Sequence, residues 1–335
     1  MNLSKKLGID MGSSSIVVYV KGDGVVLNEP SLIATDEHGM RVLALGTAAL
    51  QMVRRGDGAV TALRPVRDGD VIDQRVAGLA LQHFVARVCG RQRIFRPDLM
   101  LSIPSTVTGV QRRAVLEAGM RAGAKTAYLI EKPLAAAIGA GLPIATSTGL
   151  AVCHLGAGRT EAAVLAEGAM VVVRSLRVGG AALDAAIAAS IRHAHGIRMA
   201  DGEAERLKIT IGAAVPVADD AVLEVDGSDG EGRPQRVRIS GAEVRAAITE
   251  PLEAIAAGVG QLIQEAPEPA RESVQRTGVT LTGGGALLRG LADFLAQRIS
   301  VPVRVATNPQ VSVAAGAGLA LENFHLLKGG QHYIT

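Results

Sequence analysis

The chain has no tryptophan, and only three tyrosines and four phenylalanines among its 335 residues, so aromatic packing cannot anchor its core. Hydrophobic residues still reach 48% with aromatics at 2%. The core is therefore aliphatic and rich in small side chains, as in closely packed helices and sheets. Two cysteines, Cys89 and Cys153, are too few and too far apart for a disulfide scaffold or a paired-cysteine metal site. The seven histidines form no HExxH pattern, and His193 and His195 stand two apart on an expected helix, on different faces. Structural zinc is not expected. No apolar run reaches the ~18 residues of a transmembrane helix. The N-terminal MNLSKKLGID lacks the apolar centre of a signal peptide. The expectation is a cytoplasmic protein. With 35 basic and 32 acidic residues the net charge is +3, and the arginines are scattered rather than gathered on one stretch. No nucleic-acid partner is expected from that distribution.

What the chain does have is a repeated pattern. Residues 7–20 read as a β-strand, a tight turn of Gly12, Ser13, Ser14 and Ser15, and a second strand. Such a turn suits a phosphate, because open amides converge where no bulky side chain intrudes. Asp10, just before it, is placed to reach a Mg²⁺ ion or a water bound to one. An ordinary glycine hairpin has the same local pattern. A second copy at 150–165 favours the phosphate reading: an apolar strand, the turn Gly156, Ala157, Gly158, Arg159, Thr160, and another strand, with His154 where the first copy has Asp10. Two such copies in a chain long enough for two cores predict two similar α/β domains facing each other across a cleft. A third turn, VTLTGGGALLRG, sets Gly283, Gly284 and Gly285 between a strand and a helix start, a layout that lets backbone pass close to a nucleotide.

Between these turns the pattern predicts small β-rich structure over 21–64 and a helix over 74–88. A strand follows at 127–130, and Glu131, Lys132 and Pro133 then lead into an alanine-rich helix over 134–141. A second-domain helix is expected over 182–193. Glu205 and Lys208 share one helical face, where a surface salt pair is the plain reading. Residues 224–240 read as a hairpin, and Ser240 with Glu243 as a capping box opening a helix over 242–253. At 91–96 the apolar Ile94 and Phe95 are flanked by arginines. That pattern fits either a strand edge packed on its own domain or an exposed tip for an anionic lipid surface.

The ordered blocks KGDGVVLNEPS, RPVRDGDVID, AYLIEKPLAAAIGAGLP, RSLRVGG, AERLKITIG and LTGGGALLRG resemble those of the MreB/Mbl rod-shape-determining family, bacterial actin homologues in the actin, Hsp70 and sugar-kinase superfamily. The likeness spans nearly the whole chain. It implies an α/β, actin-like (ribonuclease H-like, duplicated) ATPase fold with two domains of two subdomains each around a nucleotide cleft. The expected bounds are 1–145, with a small subdomain at about 33–68, and 146–312, with one at about 182–242; residues 313–335 return to the first domain. The resemblance also implies ATP bound with Mg²⁺, self-assembly into filaments, attachment to the anionic inner membrane surface, and membrane-bound cell-wall elongation proteins as partners. By position, Gly12 to Ser15 and Gly156 to Thr160 would hold phosphates, with Asp10 on the metal side. Glu205 and Lys208 would contact ribose and adenine, Gly283 to Gly285 would run beside the nucleotide, and Ile94 and Phe95 would enter the membrane.

Two catalytic positions depart from the family pattern. A second carboxylate is expected after Glu131 to orient the attacking water, and Lys132 stands there. An aspartate is expected to open the second phosphate turn, and His154 stands there. A cationic lysine neither accepts a proton nor aligns water as a carboxylate does. Ala157 and Arg159 add side chains where the family has smaller residues, and Arg159 is expected either to hold phosphate or to fold back on a carboxylate such as Glu161. Weak or absent hydrolysis follows, with co-assembly with a catalytically intact relative as one option. A competent ATPase or a sugar-kinase-like phosphotransferase is the alternative on the same fold.

Overall fold

In the computed structural model, residues 4–38, 41–56, 60–71, 73–90, 95–145, 147–218 and 221–323 are described. The first domain is organised by β1 (Lys6–Met11), β2 (Ser15–Val20), β3 (Gly24–Pro30), β4 (Asp98–Ile103) and β5 (Thr126–Glu131), with α1 (Lys132–Gly139) leaving the end of β5. The second is organised by β6 (Leu150–Leu155), β7 (Thr160–Ala166), β8 (Ala169–Leu176), then α2 (Gly180–His195), α3 (Glu203–Thr210), β9 (Val279–Thr282) and β10 (Val303–Val305). The last helix is α4 (Ser312–Glu322).

Both sheets have the same plan. Strand order is β5-β4-β1-β2-β3 in one and β10-β9-β6-β7-β8 in the other. In each, the first three strands run antiparallel, a fourth pairs parallel to the first, and the fifth pairs parallel to the fourth. The duplication read from the two turns is therefore a duplication of whole domains. Small three-stranded sheets decorate each: Ile33–Asp36, Val42–Leu45 and Val60–Leu63 in the first, Arg198–Met199, Val222–Ser228 and Pro234–Ser240 in the second.

Two local expectations need correction. The stretch 21–64 is not wholly β: it contains a helix at Gly46–Arg55. Its N-cap, Leu45, offers no capping side chain, and the Thr47 amide instead donates to Glu29 Oε2 at 2.7 Å, from β3. A cap supplied from another element leaves no local signature. The helix opened by the Ser240–Glu243 capping box runs on to Glu265 with Pro251 inside it. Proline removes one backbone hydrogen bond, but Ile248, Leu252, Ile255, Val259 and Leu262 bury one continuous face across it, and that packing carries the helix through.

Helices α1 and α4 form the seam between the domains, burying Leu134, Ala135, Ala136, Ala137, Val313, Ala317 and Leu321 with Met100 and Ile130 from the first sheet and Val152, Ala163 and Leu165 from the second. The contact is backbone on backbone. A Cβ at Gly316 would lie 1.8 Å from the Ala135 carbonyl oxygen, and one at Gly139 would lie 1.8 Å from that of Ser312. Gly316→Ala should therefore force the seam apart and lower unfolding free energy by about 3 kcal/mol or more. Denaturant unfolding of the variant checks this; a loss below about 1 kcal/mol would contradict the packing.

Candidate functional site: the cleft between the domains

The two turns are superimposable in their hydrogen bonding. The Gly12 amide donates to the Ser15 carbonyl at 2.9 Å, and the Gly156 amide to the Arg159 carbonyl at 3.0 Å. In register, Asp10 faces Val17 across the first hairpin and His154 faces Glu161 across the second. Both turns open on one cavity of about 370 Å³, which is ligand-sized. It is lined by Asp10, Gly12, Ser13, Ser14 and Ser15, by Lys132 and His154, and by Gly156, Ala157, Gly158 and Arg159. Glu205, Lys208, Gly283, Gly284 and Gly285 line it too, so of the nucleotide-binding set only Thr160 stands outside. Gly283 has φ +85°, and a Cβ there would stand 2.2 Å from the Leu155 carbonyl oxygen; only glycine lets the chain cross the end of β6 this closely.

The floor of the cleft is a buried charge cluster. Lys132 Nζ lies 2.8 Å from Asp10 Oδ1, and Ser102 Oγ donates to the same oxygen at 2.6 Å. Burial alone would raise the Asp10 carboxyl, but the Lys132 charge and the hydrogen bonds from Lys132 and Ser102 outweigh it and hold the pKa below its ordinary 3.8. His154 is buried as well, its Nδ1 3.2 Å from Thr282 Oγ1. Desolvation first, then the Lys132 charge, push its pKa from 6.5 down to about 4 against the opposing pull of Asp10. At pH 7 it is a neutral imidazole; its charge joins Lys132 in lowering the Asp10 carboxyl only once acid protonates it.

That shift sets a pH dependence. Well above pH 6.5 the imidazole is neutral in folded and unfolded chains alike, and stability is independent of it. As pH falls from 6.5 toward 4, the unfolded chain takes up a proton that the folded chain refuses, so stability drops. Between pH 7 and 5 the loss from this residue is about 2 kcal/mol. Urea unfolding of wild type and His154→Gln at the two pH values isolates it: the variant should lose that much less on acidification, and equal losses would refute the burial of a neutral ring.

Around this floor, Glu161 is buried on β7 and accepts from the Ser105 amide and hydroxyl, both at 2.8 Å. Burial raises its pKa, against the hydrogen bonds from Ser105 and the charges of Lys132 and Arg159. Of the two courses expected of it, Arg159 takes the pairing with a carboxylate, but the partner is Asp70 of the first domain rather than Glu161. Its guanidinium donates to the Asp68 carbonyl at 2.8 and 3.0 Å, Asp70 Oδ2 at 3.0 Å, Thr106 Oγ1 at 2.9 Å and Ser175 Oγ at 3.3 Å, tying the second turn to the first domain. Glu131 pairs with Arg112 at 2.7 Å, and the Thr160 hydroxyl donates to the Val178 carbonyl at 2.7 Å; neither lines the cavity. Lys208 pairs with Asp184 of α2 at 2.7 Å rather than with Glu205. Burial raises the Asp184 carboxyl above its ordinary value despite that partner.

Sequence reasoning missed the apolar end of the cavity. Ile209 on α3 is 71% exposed and Leu287, just past the triple glycine, is 53% exposed; both line it. Flat apolar walls of this kind suit a heterocyclic base. No local signal marks them, since an exposed isoleucine looks like any other until its neighbours are placed. Phe95, 54% exposed, stands just after residues 91–94. Ile94 lies outside the described residues.

Two sheets of one strand order, each delivering a glycine turn to a shared cavity, define a two-domain protein of the actin-like ATPase fold. The MreB/Mbl protein family model matches residues 4–329, and the chain belongs to that family of bacterial actin homologues. It is 40% identical to the cell shape-determining protein MreB of Escherichia coli (strain K12) over 326 residues, covering 95% of this chain and 94% of that one. It is 35% identical to the cell shape-determining protein Mbl of Bacillus subtilis (strain 168), covering 97% and 98%. Among solved structures, MreB 5 of Spiroplasma citri bound to AMPPNP superposes with a TM-score of 0.91 at 29% identity, covering 97% of this chain and 98% of that chain. The same protein bound to ADP gives the same score.

Proposed function

We propose that this chain is a filament-forming cytoskeletal subunit that binds an adenine nucleotide in its cleft and hydrolyses it weakly or not at all, and that it works at the inner membrane face in cell-shape determination. The observation that carries this is the Lys132–Asp10 pair, set between two intact glycine turns. The turns, the triple glycine and the apolar walls of Ile209 and Leu287 supply phosphate and base ends for a ligand. The similar MreB 5 of Spiroplasma citri was solved with AMPPNP and with ADP, which supports nucleotide as that ligand. At the position where a water-orienting carboxylate is expected, the ammonium donates and does not accept. Sedimentation with electron microscopy, run with ATP, ADP and no nucleotide, tests the reading. Filaments that form in nucleotide without continuous phosphate release are the expected result. A protein that stays monomeric in every condition would overturn it.

Membrane association belongs to the same proposal. Among the described residues no helix is long and apolar enough to cross a membrane, so contact with lipid would fall to side chains such as Phe95, joined by Ile94. Two such apolar groups contribute about 1.5–3 kcal/mol each when fully buried, and assembly multiplies weak contacts by avidity. Ile94→Ser with Phe95→Ser should abolish pelleting with anionic liposomes; equal pelleting of variant and wild type would remove this part of the reading.

A further inference from the structure

The family resemblance implies Mg²⁺ beside Asp10, and the residues here do not fit it. A divalent ion at a phosphate site is usually held by one or two carboxylates together with the phosphates themselves. Of the positions that would serve, one carries a neutral buried imidazole, His154. The other, Asp10, already receives an ammonium at 2.8 Å and a hydroxyl at 2.6 Å on one oxygen. An ion bound at that carboxylate would stand beside the fixed positive charge of Lys132, in a setting where water screens little.

We propose that the cleft binds a nucleoside polyphosphate as the free, metal-less polyanion, with the Lys132 ammonium acting as the tethered counter-cation of its terminal phosphates. Lys132 is the cation best placed for this. It lines the cavity where the two turns meet, faced by Asp10, His154 and Glu161. The other cations lining the cavity are held by other groups: Arg159 by Asp68, Asp70 and Thr106, Lys208 by Asp184, and Arg289, among the residues near Leu287 at the apolar end, by the Gly212 carbonyl. An ammonium has three donors, so bonding to Asp10 leaves two for phosphate oxygens. The covalent tether also removes the cost of recruiting an ion from solution. This inference rests on the nucleotide reading above.

Calorimetry on the full chain with ATP and, separately, with inorganic tripolyphosphate tests it, each titration run in excess EDTA and in millimolar Mg²⁺. The expected result is ATP affinity in EDTA equal to, or up to tenfold tighter than, that in Mg²⁺. Tripolyphosphate should share that preference. Lys132→Met should weaken binding in EDTA at least tenfold, while Lys132→Arg retains most of it. ATP binding that is tenfold or more tighter with Mg²⁺ would overturn this inference and leave the nucleotide reading standing. No binding of ATP in either condition, by protein shown folded by circular dichroism, would overturn both. The wild-type comparison decides the matter even where a Lys132 variant fails to fold.

Discussion

Lys132→Met should lower the unfolding free energy at pH 7 by about 3–5 kcal/mol, the largest single-site loss expected outside the aliphatic core. Lys132 and Asp10 are both buried, and the substitution leaves the Asp10 carboxylate with the Ser102 hydroxyl and no counter-charge. The sign of its pH dependence follows. In the wild type the depressed Asp10 pKa contributes stability that is present above its ordinary 3.8 and is lost as pH falls through the lower folded value. Without Lys132, burial raises that pKa instead, so the variant's deficit should shrink on acidification as the carboxyl takes up a proton. Asp10→Asn combined with Lys132→Met removes both charges and should recover most of the loss, since replacing a buried pair together is far milder than breaking it. Denaturant unfolding of wild type, the two single variants Lys132→Met and Asp10→Asn, and the double variant forms a double-mutant cycle. A single variant within about 1 kcal/mol of wild type would mean the ion pair is not what holds Asp10.

Phosphate release by the wild type should sit at background, and Lys132→Glu with His154→Asp together should raise it by a factor of about 10² or more, the range for a positioned general base. Neither change suffices singly. Lys132→Glu alone leaves the neutral His154 at the metal side, and His154→Asp alone leaves the Lys132 ammonium beside Asp10; only together do they leave three carboxylates whose repulsion a bound Mg²⁺ would offset. Recovery has a ceiling, because Arg159 keeps the second turn fastened to Asp68 and Asp70 in either variant. Steady-state phosphate release with and without Mg²⁺ measures it. Wild-type turnover at the level of the double variant would show that Lys132 does not disable the site.

The parts of this cleft legible in the sequence are those whose physics is local. Gly12 to Ser15, Gly156 to Arg159 and Gly283 to Gly285 announce themselves because a tight turn or a close crossing demands small residues in a run. The substitutions at Lys132 and His154 are visible because a change of charge type at a repeated position is a chemical statement in itself. What was hidden depends on residues far apart in the chain. The Lys132–Asp10 and Arg159–Asp70 pairs join segments that meet only after both sheets form. The spacing of Glu205 and Lys208 suggested one ion pair, and Asp184 of another helix took the lysine. The helix at Gly46–Arg55 was missed because its cap is Glu29, and the run past Pro251 because tertiary burial outweighed a local breaker.

The Arg159 contacts bear on time as much as on shape. A cleft whose two lips meet only through a bound ligand opens whenever that ligand ages or departs, and so keeps a clock. Here one side chain of the second domain reaches the Asp68 carbonyl, Asp70 and Thr106 of the first, so the two lips are joined by the protein's own groups as well as by any ligand. The less a subunit's lips depend on the ligand, the more weakly its shape reports how long ago it joined a polymer. Its residence there would then be set more by the supply of neighbours than by an internal countdown.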